Sequence, residues 1–488
     1  MKRPSTKTGF TALANMYAPN FYTELVYMLQ ASEYSPGEYI KWFWRSRDVG
    51  KVMYRRKLVY TPVAISLLVL AWLLGLVQFI FISVLVGGSI SGLRDGFQFL
   101  AFALFLAQPI ITAHIMALPV VLGKLFIVAP MNMIRVDKAK HIFAATNAKK
   151  IVVAGSYGKT TMKEILGIVL ASEKNVAMTP GNMNTTAGHA RFAAKLTGKE
   201  DILILELGEY EIGDVAKYCH TIQPDYGVIT GLAPAHLHNF GTLEKAGENI
   251  FGVADYVDSN HLYINDENET LKPFVKKDFN RFSRTATLGW SIAHVKTSLE
   301  GTSFTMQKGK KILKLKSGLV GNHMVGPLAF AAAFAIEEFG FSKKSVEAAI
   351  ARTKPFEHRL QPTKLPTGAW LIDDTYNGNI EGVRAAVMLL KEVKTKRRIY
   401  VTPGLVEQGI ENVSVHNQLG ELIADAVDEV VLMRNSTTPL IEAGLTNANY
   451  KGVLRKIDEP LKFYESIPYL VSAGDVILLQ NDWTDNYY

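Results

Sequence analysis

Ile151-Val152-Val153-Ala154-Gly155-Ser156-Tyr157-Gly158-Lys159-Thr160-Thr161 is the stretch that decides how this chain folds. The first four residues form a short apolar run that fits a buried strand. The next seven are a glycine loop, and an amphipathic pattern from about Met162 to Ser172 predicts a helix. Strand, glycine loop and helix in that order let backbone N–H groups wrap a phosphate at a helix N-terminus. In such a unit Lys159 reaches the β- and γ-phosphates and the Thr160 hydroxyl ligates Mg²⁺. One departure stands out: the general phosphate-loop pattern has Gly five residues before Gly158, where this chain has Val153.

Outward from this unit the chain alternates strand and helix. Residues 201–206, 226–230 and 261–265 read as further strands, which predicts a mostly parallel α/β sheet. Glu206 ends the run Ile202-Leu203-Ile204-Leu205, where a carboxylate has no packing role. His236 closes Gly231-Leu232-Ala233-Pro234-Ala235-His236 after the next strand. Ligands of open parallel sheets sit beyond the carboxyl ends of the strands. Thr160, Glu206 and His236 are therefore expected on one rim, as Mg²⁺ ligands beside a triphosphate, although each alone also fits a cap or a turn. Lys354-Pro355 and Gln361-Pro362 interrupt the helical pattern between Ala351 and Leu365. A second series follows, with strands at 369–372, 398–402, 429–432 and 475–479. The expected fold class is α/β: a central P-loop ATPase domain over 148–350 and a C-terminal Rossmann-like domain over 356–488, preceded by two transmembrane helices.

Those helices come from two runs free of Asp, Glu, Lys and Arg, Leu58 to Leu93 and Phe97 to Gly123. A bilayer core needs about 20 apolar residues as helix, so each run spans once. Gly87-Gly88-Ser89-Ile90-Ser91-Gly92 reads as the turn between them. Buried core helices would carry a polar stripe, and neither run has one. The expected boundaries are a basic cytoplasmic region over 1–57 and a membrane hairpin over 58–126. Arg55, Arg56 and Lys57 precede the hairpin and Lys124, Arg135, Lys138 and Lys140 follow it, whereas the turn has only Arg94, offset by Asp95. Both ends are then expected in the cytoplasm. That makes a two-span protein of the cytoplasmic membrane, with the bilayer as a partner. Trp42-Phe43-Trp44 suits a membrane interface or a small packing surface. His114, with no ionisable partner in its run, is expected to be structural.

The charge balance supports that division. The chain has 53 Lys and Arg against 45 Asp and Glu, a net +8, yet ten basic and four acidic residues fall within 1–57. The rest is close to neutral, which removes the basis for a nucleic-acid partner. A hydrophobic content of 48% excludes a disordered chain. The single Cys219 excludes an internal disulfide and fits a reducing compartment.

Gly155–Thr161, Pro180-Gly181-Asn182-Met183-Asn184, Glu206-Leu207-Gly208, Ala235-His236-Leu237 with Phe240-Gly241, and Asp373-Asp374-Thr375-Tyr376-Asn377-Gly378-Asn379 follow one another in an order that resembles the Mur ligases. With Arg359 upstream, the last motif looks most like the D-alanyl-D-alanine-adding branch. The resemblance covers roughly residues 148–488. It implies an ATP-dependent amide ligase of cell-wall peptidoglycan precursor synthesis. A substrate carboxylate takes the γ-phosphate of ATP to give an acyl phosphate, and an amino acid or dipeptide amine then displaces phosphate. By the same resemblance Gly155, Ser156, Tyr157, Gly158, Lys159, Thr160, Thr161, His323, Arg359 and Asp374 bind the nucleotide. Lys159, Glu206, His236 and Arg359 carry catalysis, and Thr160, Glu206 and His236 hold Mg²⁺. Asn182, Asn184, Tyr376 and Asn377 face the substrates.

Three departures from the family pattern alter what is expected. The family's carbamylated lysine, about ten residues past the Phe-Gly pair, falls on Ile250, with Lys245 out of register. The family's His-Asn-x-x-Asn segment reads His323-Met324-Val325-Gly326-Pro327. The UDP-gripping N-terminal domain is replaced by the hairpin, which suggests a substrate at the bilayer. Alternatives are a ligase for poly-γ-glutamate or a lipid-linked precursor, and a nucleotide-binding membrane scaffold without turnover. The tail after Leu478, rich in aromatic and polar residues, reads as an acceptor-pocket lining or a docked segment.

Overall fold

The computed structural model describes residues 14–32, 34–45, 58–90, 96–181, 183–233, 240–276, 278–376, 378–406 and 411–481. The chain divides into two compact units, Met1–Ile134 and Arg135–Tyr488.

The first unit is helical. Pro62–Ile90 and Gly96–Ile115 are long apolar helices, the latter followed by Ala117–Gly123. The helices Phe21–Ala31 and Pro36–Arg45 pack against them, and Leu25, Leu29, Tyr39, Phe43, Ala64, Leu67, Ala71, Ala113, Met116 and Val120 form their shared core. Small residues let the elements close up: a Cβ on Gly75 would meet the Tyr22 hydroxyl at 2.1 Å. Several polar groups in this apolar setting find partners across the helices. Tyr39 donates to the Ala113 carbonyl at 3.0 Å and Thr112 to Gln78 at 2.9 Å. His114 is structural. Its Nε2 accepts from Trp44 at 3.1 Å while Nδ1 lies 2.7 Å from the Ile110 carbonyl, so both ring nitrogens are satisfied. The expected turn at Gly87–Gly92 is corrected: Gly87 to Ile90 continue the helix, and 91–95 lie outside the described residues. Two glycines cost a helix about 1 kcal/mol each, too little to end one whose other residues favour it.

The second unit holds two sheets. Strands β1 (Lys149–Ala154), β2 (Val176–Met178), β3 (Ile202–Glu206), β4 (Tyr226–Ile229), β5 (Leu262–Asn265) and β6 (Asn280–Phe282) are parallel, in the order β2-β3-β1-β4-β5-β6. An antiparallel extension follows: β7 (Ala286–Thr287), β8 (Trp290–Ser298), β9 (Gly301–Lys308) and β10 (Lys311–Ser317). This extension was not expected from the sequence. Its strands alternate, with Phe304, Met306, Leu313 and Leu315 inward, and lack the continuous apolar run of the parallel strands. Helices cover both faces of the sheet. On one, Lys159–Leu170 packs with Val325–Phe339, which is buried without a break from Leu328 to Ala335. On the other, Phe143, Tyr218, Cys219 and Ile250 join the alternate residues of β1, β3 and β4.

The second sheet comprises β11 (Gln361–Lys364), β12 (Trp370–Asp374), β13 (Arg397–Thr402), β14 (Glu429–Met433), β15 (Val453–Ile457) and β16 (Asp475–Gln480). Its order is β11-β12-β16-β13-β14-β15, with only β11 antiparallel. Helices again flank both faces. The architecture is thus mixed α/β with two mostly parallel sheets. The sequence does not predict β2, β6, β11 or β15 either, which are short or lie at a sheet edge.

Candidate functional site

The glycine loop leaves β1 between its neighbours β3 and β4, and each glycine there has a defined job. Gly155 has φ +132, and a Cβ on it would lie 2.5 Å from Thr230 Oγ1 and 2.8 Å from the Gly231 carbonyl. Gly158 has φ +74 and caps the helix Lys159–Leu170 without any side-chain hydrogen bond, leaving the first-turn N–H groups to face outward. Thr230, at the end of β4, fastens the loop: its hydroxyl donates to the Ala154 carbonyl at 3.1 Å and also meets the Tyr157 carbonyl. Ser156 N donates to the Gly231 carbonyl at 2.8 Å. The loop is therefore shaped before any ligand arrives, which keeps the ordering cost of binding low.

Glu206 stands on the same rim. It pairs with Val153 in the parallel register of β1 and β3, so it reaches the strand end just where the loop begins. Its Oε1 accepts from Asn184 at 3.3 Å, while Oε2 is buried without a hydrogen-bond partner among the described residues. A buried carboxylate oxygen left unmatched is costly, and hard oxygen donors suit Mg²⁺. Glu206 Oε2 is a donor that would fit such a cation, with the Thr160 hydroxyl as the second ligand expected from the sequence. Among the described residues no three His, Cys, Asp or Glu side chains cluster. His236, Asn182 and Asn377 lie outside the described residues.

Three residues that the sequence reading passed over support this rim. Lys163 is fully buried, donates to the Thr179 carbonyl at 2.9 Å and the Gly181 carbonyl at 2.7 Å, and sits 3.7 Å from Glu206 Oε2. It ties the helix after the glycine loop to the segment leading into Asn184. His189 Nε2 lies 2.8 Å from the Glu206 carbonyl, and burial pushes its imidazole down to about 4. The neutral ring must then donate through Nε2. Glu209 forms an ion pair of 3.0 Å with Lys159, whose ammonium also meets the Gly155 carbonyl. Only the spacing of Lys163, one helical turn past Lys159, hinted at any of them.

The second sheet contributes through Arg359. Its Nη2 donates to Thr160 Oγ1 at 3.3 Å, and its guanidinium lies 4.3 Å from the centre of the Tyr376 ring. The backbone that aims it is strained: His358 and Leu360, on either side, have φ +58 and +42. Left-handed non-glycine residues cost about 1 kcal/mol each or more, so the surroundings must impose them. Tyr376 N donates to the His358 carbonyl at 3.1 Å, and Leu360 N to Asp374 Oδ1 at 3.1 Å. Gln480 donates to the other Asp374 oxygen at 2.7 Å. Burial, the largest influence on Asp374, raises its carboxyl to about 6 against the hydrogen bonds that lower it. Asn481, itself at φ +69, accepts from Gly378 N at 2.6 Å and so shapes the turn beyond Tyr376.

Of the residues expected at the nucleotide, His323 is the one no described contact ties to this group. It sits in a short 3₁₀ turn, its ring folded over Gly321, where a Cβ would lie 2.6 Å from it. Burial, with the Arg284 charge second, lowers it to about 4. No hydrogen bond among the described residues joins it to the glycine loop.

Comparison with known proteins agrees with this geometry. Residues 153–335 match the profile described as Mur ligase middle domain, and residues 358–480 that of the Mur ligase glutamate ligase domain. The UDP-N-acetylmuramoyl-tripeptide--D-alanyl-D-alanine ligase of Escherichia coli (strain K12) is 29% identical over 295 residues, covering 58% of this chain and 64% of that one. Its Bacillus subtilis (strain 168) counterpart is 25% identical over 350 residues, 70% of this chain and 75% of the other. This chain spans less than two thirds of the length of the Escherichia coli relative and 55% of the Mycobacterium tuberculosis ones. Among solved structures, MurF from Thermotoga maritima in complex with ADP superposes with a TM-score of 0.63 at 24% identity, covering 72% of this chain and 80% of that one. MurF from Acinetobacter baumannii gives 0.62 at 19%, over 72% and 77%. With two family domains in order, the glycine loop on the first and Arg359 just inside the second, the chain belongs to the Mur ligase family.

Proposed function

We propose that this protein is a membrane-anchored, MurF-like ligase that uses ATP to join a cell-wall precursor carboxylate to the amine of an amino acid or dipeptide such as D-Ala-D-Ala. The observation that carries the reading is the reach of Arg359, just before β11, to Thr160 of the glycine loop. Such a site has to offset charge spreading over a transferring phosphoryl group.

Lys159 and the loop N–H groups receive the β- and γ-phosphates, and Arg359, held at Thr160, adds a further positive charge. A Mg²⁺ held by Thr160 and Glu206, with His236 as a further ligand by family likeness, would neutralise phosphate charge. The donor carboxylate oxygen attacks the γ-phosphorus, and the bond to the ADP oxygen breaks. The acceptor amine then attacks the acyl carbon, loses a proton and expels inorganic phosphate. Asn184, held against Glu206, and Tyr376, held against Arg359, border the space where both steps meet. Asn182 and Asn377 complete the substrate side by family likeness.

The first unit supports the bilayer. Pro62–Val86 and Gln98–Ala145 are long and apolar enough to cross a membrane, and only 11% and 22% of their most apolar stretches are buried within the protein. A soluble core helix would be mostly covered. Here Phe79, Phe81, Val84, Phe99 and Phe102 all face outward, an apolar area that a monomer in water would not leave bare. Flanking positive charge places the ligase regions in the cytoplasm, where ATP is available. A bilayer anchor favours a donor at the membrane, UDP- or lipid-linked.

Phosphate release by the detergent-purified chain tests the proposal, using ATP, Mg²⁺ and paired donors and acceptors with Lys159→Ala beside it. Donor-dependent release in the wild type, lost in the variant, is expected. Equal release from both proteins under every pair would refute it.

A further inference from the structure

Glu209 has no part in the steps above, yet it holds the residue on which they depend. Its side chain is 6% exposed and its Oε1 lies 3.0 Å from Lys159 Nζ, whose side chain is 13% exposed. The ammonium is turned back onto a carboxylate and the Gly155 carbonyl, the kind of oxygen partners that phosphates would replace. The segment bearing Glu209 is anchored from behind. Gly208 N donates to the Asn184 carbonyl at 2.7 Å, and a Cβ on Gly208 would lie 2.7 Å from that same oxygen. Glu209 is therefore aimed at Lys159 by the β3 rim and is no freely swinging surface group.

A largely buried ammonium needs a counter-charge. Glu209 supplies it while no nucleotide is bound, and a triphosphate brings the same charge to the same place. Two anions in one low-dielectric spot repel strongly, so one must leave. We propose that Glu209 is a positioning residue that occupies Lys159 in the nucleotide-free protein and is displaced by the β- and γ-phosphates. ATP affinity is then set by a competition between this side chain and the substrate. The inference rests on reading Lys159 as the phosphate ligand. It has a consequence for turnover: as phosphate and ADP depart, Glu209 returns to Lys159 and speeds ADP release.

Isothermal titration of the full chain in detergent with ATP and with ADP, each with Mg²⁺ and with EDTA, tests this in wild type, Glu209→Gln, Glu209→Asp and Lys159→Ala. Gln keeps the shape and removes the charge. E209Q should bind both nucleotides about tenfold tighter, which is about 1.4 kcal/mol. The gain should appear with and without Mg²⁺, and the ADP dissociation rate should fall by a similar factor. E209D, with a shorter reach to Lys159, should fall between and serves if E209Q does not fold. A residue that merely braces the loop would weaken binding when removed, and a Mg²⁺ ligand would weaken it only when Mg²⁺ is present. Either result, or unchanged affinity, overturns the inference. A wild type that binds no more nucleotide than K159A overturns the ligase reading itself, whereas a binding wild type with an equal E209Q overturns only the competition.

Discussion

Replacing Lys163 by Met separates the two jobs of the buried ammonium beside the glycine loop. Met fills nearly the same stem volume, so the cost is mainly electrostatic and adds little cavity. The substitution leaves the Thr179 and Gly181 carbonyls without their donor and removes the positive charge 3.3 Å from Glu164 and 3.7 Å from Glu206. Removing one partner of a buried charge pair costs about 3–5 kcal/mol, because the other partner stays buried and unpaired. For a region the size of 148–350 each kcal/mol shifts the melting temperature by roughly 2–4 °C, so a fall of about 10 °C in the transition of that region is expected by differential scanning fluorimetry. Function should suffer unevenly. The glycine loop keeps its Thr230 fastening, but Gly181, on the way to Asn184, and Glu206 both lose an anchor. The KM for the carboxylate donor should rise more than that for ATP. Lys163→Gln retains one amide donor and should recover part of the loss. A Lys163→Met protein that melts within 2 °C of wild type with an unchanged donor KM would refute the reasoning.

Two further outcomes follow from buried groups. Burial lifts the Asp374 carboxyl to about 6, above its ordinary value, so the folded protein takes up this proton more readily than the unfolded chain. Its favourable contribution to stability is present at low pH and is lost as pH rises through about 6, whereas the bonds it accepts from Leu360 N and Gln480 are stronger to the ionised form. Turnover should therefore fall below pH about 6 as that proton is taken up, and Asp374→Asn should remove this acid limb; a limb unchanged in the variant would assign it elsewhere. For the hairpin, Ser91→Cys should react with a membrane-impermeant maleimide on intact cells. Native Cys219 is fully buried, and burial pushes its thiol up to about 12, so it stays silent. Labelling only after permeabilisation would reverse the orientation.

What the sequence showed of this protein depended on how locally each feature is encoded. The unit from Ile151 to Thr161 was legible because strand, loop and helix are consecutive and every constraint falls on neighbours: a buried run, a glycine at φ +132 and another at +74. Glu206 was legible as a charge at the end of an apolar strand. The break between the two sheets showed in its prolines, and the structure places the end of one helix at Ala351 and the start of β11 at Gln361. By contrast, Lys163, His189 and Glu209 look like ordinary helix or loop residues until the fold buries them against Glu206 and Lys159. Arg359 carried a family likeness only. Its aim depends on left-handed His358 and Leu360, residue types whose side chains give no warning of such backbone. The antiparallel extension is hard to read because its alternating strands, with Lys outward, lack the continuous apolar run that marks a buried parallel strand.

The charge arrangement links these missed residues. Lys159, Lys163 and Arg359 bring three positive charges to one rim, and Glu206 and Glu209 bring two negative ones within reach of the first two. In a poorly solvated place such a set is close to self-compensating, which is what a nucleotide-free protein needs to remain folded. A triphosphate upsets that balance. It can be accommodated only if a cation accompanies it, if a carboxylate withdraws, or both. Glu206 has an oxygen without a hydrogen bond, 3.7 Å from Lys163 and suited to the cation, and Glu209 pairs among the described residues with Lys159, which phosphate takes. The two carboxylates, three residues apart on the same rim, would thus divide the work: one binds the metal that ATP brings, and the other leaves the lysine that ATP needs. Measuring nucleotide affinity with and without Mg²⁺ distinguishes them, because Glu206→Gln should weaken only the metal-dependent part while Glu209→Gln strengthens both.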